Sequence, residues 1–190
     1  MALPCSFMKT RALIEELLQA NYEALPLVDR LGAADALSRL YRYVVDNGQD
    51  EYCTREEILE SGDRLYTSLL MAYTSATTYR QKADILLAIG TVVFGLQGVP
   101  NRRRVDHLSN ISYKLIRDYL AVRPSEGETQ MLRVAYLYQY SGGLADGVVR
   151  DFLEAHPEEL PEAKPLQHRY TALMQWIERA EKEIQSFVWV

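Results

Sequence analysis

Apolar residues recur along most of this chain at spacings of three and four, which is the period of an α-helix. The most apolar stretch, Ala83–Leu96, is apolar on every side, and a helix of that kind is normally buried on every side. Its uncharged run over 85–96 holds 12 residues, well short of the roughly 20 that a membrane-spanning helix needs. The pattern therefore predicts an all-α fold of about eight helices around a buried central helix.

Start and stop signals divide the first part of the chain into three helices. Ser6 is a suitable N-cap for the first helix, and Pro26 ends or restarts it. Asn47-Gly48 is predicted to close the second helix, because both residues tolerate left-handed backbone. Thr54 and Glu57 form a capping-box pattern, so the third helix is expected to begin there.

Further signals surround the central helix. We expect Ser61–Asp63 to interrupt the third helix, since glycine inside a helix costs about 1 kcal/mol relative to alanine. The polar run Thr74–Thr78 predicts a turn, and Thr78 with Gln81 is predicted to cap the central helix. Gly98–Asn101 is predicted to end it.

The second part of the chain shows four more helical patterns. One covers 105–119 and stops at Pro124, and the next opens at a capping box of Ser125 and Glu128. Gly142-Gly143 is expected to break that helix. A short helix over 148–153 then leads to Pro157, and the last helix carries an apolar seam over 166–187. The members of that seam alternate in steps of four and three, as in a coiled coil: Leu166, Tyr170, Leu173, Ile177, Ala180, Ile184 and Phe187.

One stretch, over 129–157, carries a spaced set of apolar and small residues. Leu132, Tyr136, Ala145, Val149 and Pro157 follow one another at spacings of four, nine, four and eight. In this order the stretch resembles a single tetratricopeptide repeat, although Thr129, Arg133 and Phe152 stand where that family prefers Trp, Gly and Ala. The resemblance implies antiparallel helix pairs stacked in sequence and no particular ligand. A compact irregular bundle is the alternative.

Composition fits one helical domain over 1–190, with an N-terminal lobe over 6–76 and a C-terminal lobe over 78–190 as the alternative. Apolar residues make up 48% of the chain and charged residues 25%, which is usual for globular proteins. The net charge of −5 disfavours a nucleic-acid partner. The two cysteines form no pair motif, and the amino terminus lacks a secretory pattern. We therefore expect a cytoplasmic protein that does not insert into a membrane.

Motifs for catalysis or cofactor binding are missing from the sequence. The three histidines do not pair with carboxylates at a metal-binding helical spacing. The glycines show neither a dinucleotide-binding nor a phosphate-loop spacing, and no nucleophile motif is recognisable. The sequence thus predicts no catalytic residue, no cofactor and no metal site.

Arg102, Arg103 and Arg104 form the sharpest charged feature. Three guanidinium groups at a helix start could bind an anion or an acidic partner, because backbone N–H groups also converge there. The alternative is a solvated loop in which one arginine pairs with Asp106.

The chain end and the tyrosines point to protein contacts. Phe187, Val188 and Trp189 form an apolar end that is expected to dock on the chain's own core or to form a homodimer through the C-terminal helix. The chain has 13 tyrosines, a residue suited to helix seams and to binding surfaces. We therefore predict a protein-interaction or scaffold module without catalytic activity. The alternatives are an enzyme or small-molecule-binding regulator with an apolar pocket between helices, and a disfavoured DNA-binding regulator.

Overall fold

The computed structural model describes residues 5–47, 53–96, 101–122 and 137–155. Across these ranges the chain is helical and contains no strand, which confirms the all-α class. Residues Tyr22–Ala24 form a 3-10 turn, and residues 137–140 are also helical. The six α-helices with described bounds are α1 (Cys5–Gln19), α2 (Leu27–Asn47), α3 (Arg55–Ser75), α4 (Tyr79–Gly95), α5 (Arg102–Val122) and α6 (Asp146–Ala155).

The predicted caps of α3 and α4 are confirmed. At the start of α3, the Glu57 N–H donates to Thr54 Oγ1 at 3.2 Å, and the Thr54 N–H donates to Glu57 Oε2 at 2.7 Å. These two bonds form the complete capping box. At the start of α4, the Gln81 N–H donates to Thr78 Oγ1 at 3.2 Å. Short-range signals of this kind therefore set both helix starts.

The glycine pair at 142 and 143 also behaves as predicted. Gly142 and Gly143 have φ angles of 60° and 85°, which is the left-handed region that glycine adopts without steric cost. Residues 141–145 form the turn that precedes α6. The glycine pair therefore ends one helical segment and lets the next begin.

The chain divides into two compact units. One consists of Met1–Ala76 with Ala88–Arg104, and the other of Thr77–Leu87 with Val105–Val190. The division falls within α4, so each half of that helix belongs to a different unit.

In the first unit, α1, α2 and the 3-10 turn all pack against α3. The predicted interruption of α3 at Ser61–Asp63 is wrong, because the helix continues from Arg55 to Ser75. Gly62 faces the side chains of Leu96 and Val92, and a Cβ atom at this position would overlap Leu96. The glycine therefore serves the close approach of α3 to the end of α4. It does not break the helix.

The apolar stretch Ala83–Leu96 forms most of α4 and is largely buried. Ile85, Leu86 and Ile89 have no exposed surface. Phe94 is 43% exposed, so the expectation of burial on every side is not met along the whole stretch. None of the described helices has the length and apolar character needed to cross a membrane.

In the second unit, α4 and α5 meet through two tyrosines. The rings of Tyr79 and Tyr119 pack edge to face, with centroids 5.6 Å apart and an interplanar angle of 82°. The Tyr79 hydroxyl donates to the Asp118 carbonyl at 3.4 Å.

Buried Ala145 and Val149 lie at two of the positions of the tetratricopeptide resemblance.

Several predicted features lie outside the described residues. They include the capping box of Ser125 and Glu128, the seam over 166–187 and the apolar end with Phe187, Val188 and Trp189. The other three positions of the tetratricopeptide resemblance, Leu132, Tyr136 and Pro157, also lie there. These features stay predictions.

Candidate functional site: an apolar groove between two helices

The first unit carries an apolar groove of about 500 Å³ between α1 and α2. Its α1 wall consists of Leu13, Ile14 and Leu17, and its α2 wall consists of Ala36, Arg39, Leu40 and Tyr43. Arg39 is the one charged side chain among these seven. Leu13 is 65% exposed and Tyr43 is 54% exposed, so much of the apolar lining faces solvent.

The carboxyl end of α1 is held by polar contacts to the rest of the unit. The Tyr22 hydroxyl donates to the Leu17 carbonyl at 2.7 Å, and Ser61 Oγ donates to the same carbonyl at 3.5 Å. Arg64 donates to the Leu18 carbonyl. The last carbonyls of a helix have no partner within the helix, and these side chains supply partners. They fix the end of α1 against α3.

Tyr22 is the centre of this cluster. Its ring is 2% exposed, and its hydroxyl lies 2.7 Å from Ser61 Oγ. Burial raises the pKa of Tyr22 above its ordinary value, against smaller lowering effects of the Ser61 hydrogen bond and the Arg64 charge. The neutral phenol is therefore the form that the folded protein favours.

Arg30 holds the connection between α1 and α2. Its Nε donates to the Leu25 carbonyl at 2.9 Å, and Nη2 donates to the Glu23 carbonyl at 3.3 Å. Its Nη1 donates to Ser68 Oγ at 3.1 Å, which joins the connection to α3. Because α1 and α2 are each attached to α3, their facing apolar residues are left as an open groove.

The two helices that form the groove each carry an exposed ion pair. Arg11 and Glu15 pair at 2.9 Å on α1, and Asp35 and Arg39 pair at 2.8 Å on α2. Glu16 on α1 is exposed and has no ion pair among the described residues. Exposed pairs of this kind contribute about 0–1 kcal/mol each to stability.

Comparisons with models of protein families, with curated proteins and with solved structures found no significant match. Function is therefore inferred from the residues of the chain itself, and the tetratricopeptide resemblance stays a prediction.

The structure separates the three arginines predicted as an anion site. Arg104 Nη1 lies 2.6 Å from Asp63 Oδ1, and its guanidinium lies 4.4 Å from the ring centroid of Tyr66. The Tyr66 pKa is raised by burial, against a smaller lowering effect of the Arg104 charge. Arg104 therefore takes part in the packing of the first unit.

Arg102 and Arg103 lie exposed in the first turn of α5. The Arg103 N–H donates to Asn101 Oδ1 at 3.0 Å, so one backbone donor at this helix start is already bonded. Binding of an anion by Arg102 and Arg103 stays a prediction.

The described residues show no arrangement typical of metal binding. No group of three or more His, Cys, Asp or Glu side chains within them is placed to hold a metal ion. Cys53 is buried as a thiol. The groove is thus the best-developed candidate site in the part of the chain that the structure describes.

The sequence contained half of the signal for this groove. The spacing of Leu13, Ile14, Leu17 and Leu18 indicates one apolar face of α1, but spacing alone does not show that α3 covers just part of that face. On α2, the apolar pattern of Leu37, Leu40 and Val44 includes Leu40 and omits Tyr43. The excess of tyrosine was the other signal, since Tyr43 is an exposed tyrosine at the edge of the groove.

Proposed function

We propose that the protein is an interaction module whose groove between α1 and α2 binds the apolar face of a helix from another protein molecule. The observation that supports this function is the exposure of Leu13 and Tyr43 beside the apolar lining. Contiguous exposed apolar surface, rimmed by polar groups, is typical of interaction sites. A groove between two helices suits an amphipathic helix, which inserts residues spaced by three and four.

A small-molecule site is the second candidate, because about 500 Å³ lies within the usual volume of ligand pockets. Such pockets bury about 70–90% of the ligand surface and place several polar groups around it. This groove has one charged lining residue, Arg39, and two lining side chains that are more than half exposed. The groove therefore favours a protein partner.

The cellular setting belongs to the same proposal. We propose a cytoplasmic location, because the two cysteines of the sequence form no pair motif that would indicate a disulfide framework. A homodimer through the C-terminal helix stays a second proposed contact, because its residues Phe187, Val188 and Trp189 lie outside the described part.

Site-specific photocrosslinking in the native host tests the groove. A benzoylphenylalanine replaces Tyr43 in one variant and Val45 in the control, since these side chains lie on the same helix and are 54% and 52% exposed. Val45 is not part of the groove lining. We expect a defined crosslinked product from position 43 and none from position 45.

The second step uses the captured segment as a synthetic peptide. Leu13→Glu places a charge in the apolar wall, and we expect it to weaken peptide binding by at least about tenfold, or 1.4 kcal/mol. Val45→Glu is the control and should leave the affinity unchanged. Equal crosslinking at positions 43 and 45, or equal affinity for the Leu13→Glu variant and the wild type, would contradict the proposed function.

A further inference from the structure

We propose that α1 is a hinged wall of the groove, which swings about its carboxyl end and closes on the helix bound between α1 and α2. This inference rests on the proposed function of the groove as a helix-binding site and adds how that site closes. Three features of α1 support the motion: its low burial, the position of its hydrogen bonds and the exposed apolar surface of its wall.

The first feature is the low burial of α1. Over 11–19, where the burial of its side chains is described, no residue is fully buried, and Leu13 is 65% exposed. By contrast, α2 buries residues from Ala33 to Val44, and α3 buries residues from Ile58 to Leu69. A helix with few buried apolar contacts separates from its neighbours at a lower free-energy cost than the rest of its unit. We therefore assign α1 as the movable wall and α2 as the fixed one.

The second feature is that hydrogen bonds hold the carboxyl end of α1. The Leu17 carbonyl accepts from the Tyr22 hydroxyl at 2.7 Å, and the Leu18 carbonyl accepts from Arg64. Because Tyr22 is itself 2% exposed, the end that it holds stays in place when the rest of α1 moves. Residues 20–21, between α1 and the 3-10 turn, are not helical. A short connection of this kind can take up the change in backbone angles that a hinge requires.

The third feature is the apolar surface that closure buries. Leu13 lies in the α1 wall and Tyr43 in the α2 wall, and both side chains are more than half exposed. Burial of apolar surface is the main favourable term in most protein association. A swing of α1 towards a bound helix brings Leu13 onto the apolar face of that helix. Without a bound helix, Leu13 has no such surface to pack on, and α1 stays free to move.

A rigid swing moves each residue of α1 in proportion to its distance from the pivot. Lys9 lies eight positions before Leu17, or about 12 Å along the helix axis. Ala12 lies five positions before Leu17, or about 7.5 Å along the axis. A rotation of about 20° therefore moves the backbone of Lys9 by about 4 Å and that of Ala12 by about 2.6 Å. The ratio of the two displacements, about 0.6, distinguishes the swing of a whole helix from fraying of its first turns.

Distances between spin labels in the full chain, measured by double electron–electron resonance, test the swing. Every pair carries one label on α2 through Arg42→Cys, which lies outside the groove lining. The second label is on α1, through Lys9→Cys or Ala12→Cys. In the control pair it is on α3, through Glu60→Cys. Ala12, Arg42 and Glu60 are exposed, so labels at these positions leave the core intact.

The expected result is a broad distance distribution for the α1 pairs and a narrow one for the control pair. All pairs are made in a Cys5→Ser background, and Cys53 is 3% exposed, so labels attach at the introduced cysteines. In the free chain, the width added at Ala12 should be about 0.6 of that added at Lys9. The peptide captured by the crosslink at Tyr43 should narrow both α1 distributions to the width of the control. It should also move the mean distance of the Lys9 pair by up to about 4 Å.

Three results would overturn the inference. The first is a free chain in which the α1 pairs are as narrow as the control pair, since α1 is then a fixed wall. The second is broadening of the Lys9 pair alone, because this reports fraying of the first turns. The third is a pair of α1 distributions that the captured peptide leaves unchanged.

Failure of the hinge and failure of the proposed function give different results. A peptide captured at Tyr43 together with a fixed α1 retains the helix-binding groove and refutes the hinged wall. Absence of a groove-specific product at Tyr43 refutes the helix-binding groove and, with it, closure on a bound helix, whatever distances the free chain shows.

Discussion

Replacement of Gly62 by alanine tests whether α3 and the end of α4 meet through the missing side chain. A Cβ atom on residue 62 would lie 3.7 Å from Leu96 Cγ and 4.0 Å from Val92 Cγ1, and it would overlap Leu96 Cδ1. Leu96 is 2% exposed, so its side chain has little space into which it can move. The substitution therefore overpacks the core of the first unit.

Two opposing terms determine the size of the effect. Alanine gains about 1 kcal/mol over glycine inside a helix, whereas overpacking of a core costs about 1–3 kcal/mol. The two terms together give a net loss of about 0–2 kcal/mol. We therefore expect Gly62→Ala to lower the free energy of unfolding by about 1 kcal/mol, the middle of that range. Gly32→Ala is the matched control on α2, because a Cβ atom there meets nothing within 4 Å. It should raise the free energy of unfolding by about 0.5–1 kcal/mol.

Urea unfolding followed by circular dichroism measures both variants, at two protein concentrations so that association is detected separately. Leu96→Val in the Gly62→Ala background removes the overlapping Cδ1 methyl group and should recover part of the loss, giving a coupling energy of about 1 kcal/mol. Equal stabilisation by Gly62→Ala and Gly32→Ala would refute the close approach at Gly62.

Three further predictions concern charge and pH. Arg104→Gln should lower the free energy of unfolding by about 1 kcal/mol, because it removes an ion pair and a ring contact. Arg103 is exposed at the positive end of α5, so Arg103→Gln should leave the free energy of unfolding unchanged or raise it by about 0.3 kcal/mol. Urea unfolding in which the two variants behave alike would contradict this prediction. Hydrogen bonds from Thr54 lower the pKa of Glu57, the backbone bond more than the side-chain bond. The contribution of the Glu57 carboxylate to stability is therefore full above the ordinary glutamate pKa and is lost as the pH falls through the lowered value. Acid titration of the urea midpoint should therefore show a smaller decline for Glu57→Gln than for the wild type, and identical declines would disprove the assignment. Burial raises the pKa of Tyr22, so the contribution of the neutral phenol to the free energy of unfolding is full below the ordinary tyrosine pKa of about 10 and is lost as the pH rises through the raised value. The urea midpoint should therefore fall less with rising alkaline pH for Tyr22→Phe than for the wild type. An equal fall in both proteins would assign the effect to other groups.

The helix starts could be predicted because their causes are local. Thr54 and Glu57 are three residues apart, and each bonds to the backbone of the other. The same local logic applies to Thr78 and Gln81. A cap depends on residues within one helical turn, so the order of residues is enough to locate it.

The continuity of α3 could not be predicted in this way. A serine, a glycine and an aspartate in succession reduce helix propensity over 61–63, and the local prediction was a break. Tertiary contacts outweigh that propensity, since Gly62 lies against Leu96 and Ser61 bonds to Tyr22. Both partners are more than 30 positions away in sequence, where a local pattern carries no information.

Arg104 illustrates the same limit for the candidate anion site. The sequence placed three arginines together, and the local alternative paired one of them with Asp106. The structure places Arg104 on Asp63, 41 residues earlier, and over the ring of Tyr66. Consecutive residues on a helix point in different directions, so a run of like residues need not act as one site.

The groove follows from how α1 is attached. Polar contacts fix its carboxyl end, through Tyr22 and Arg64, while Leu13 near its middle remains 65% exposed. Burial of an apolar side chain stabilises a protein by about 1.5–3 kcal/mol, and this fold leaves most of that stabilisation from Leu13 unrealised within the first unit. A helix held by hydrogen bonds with its apolar edge exposed fits the proposed role of the groove as a helix-binding site.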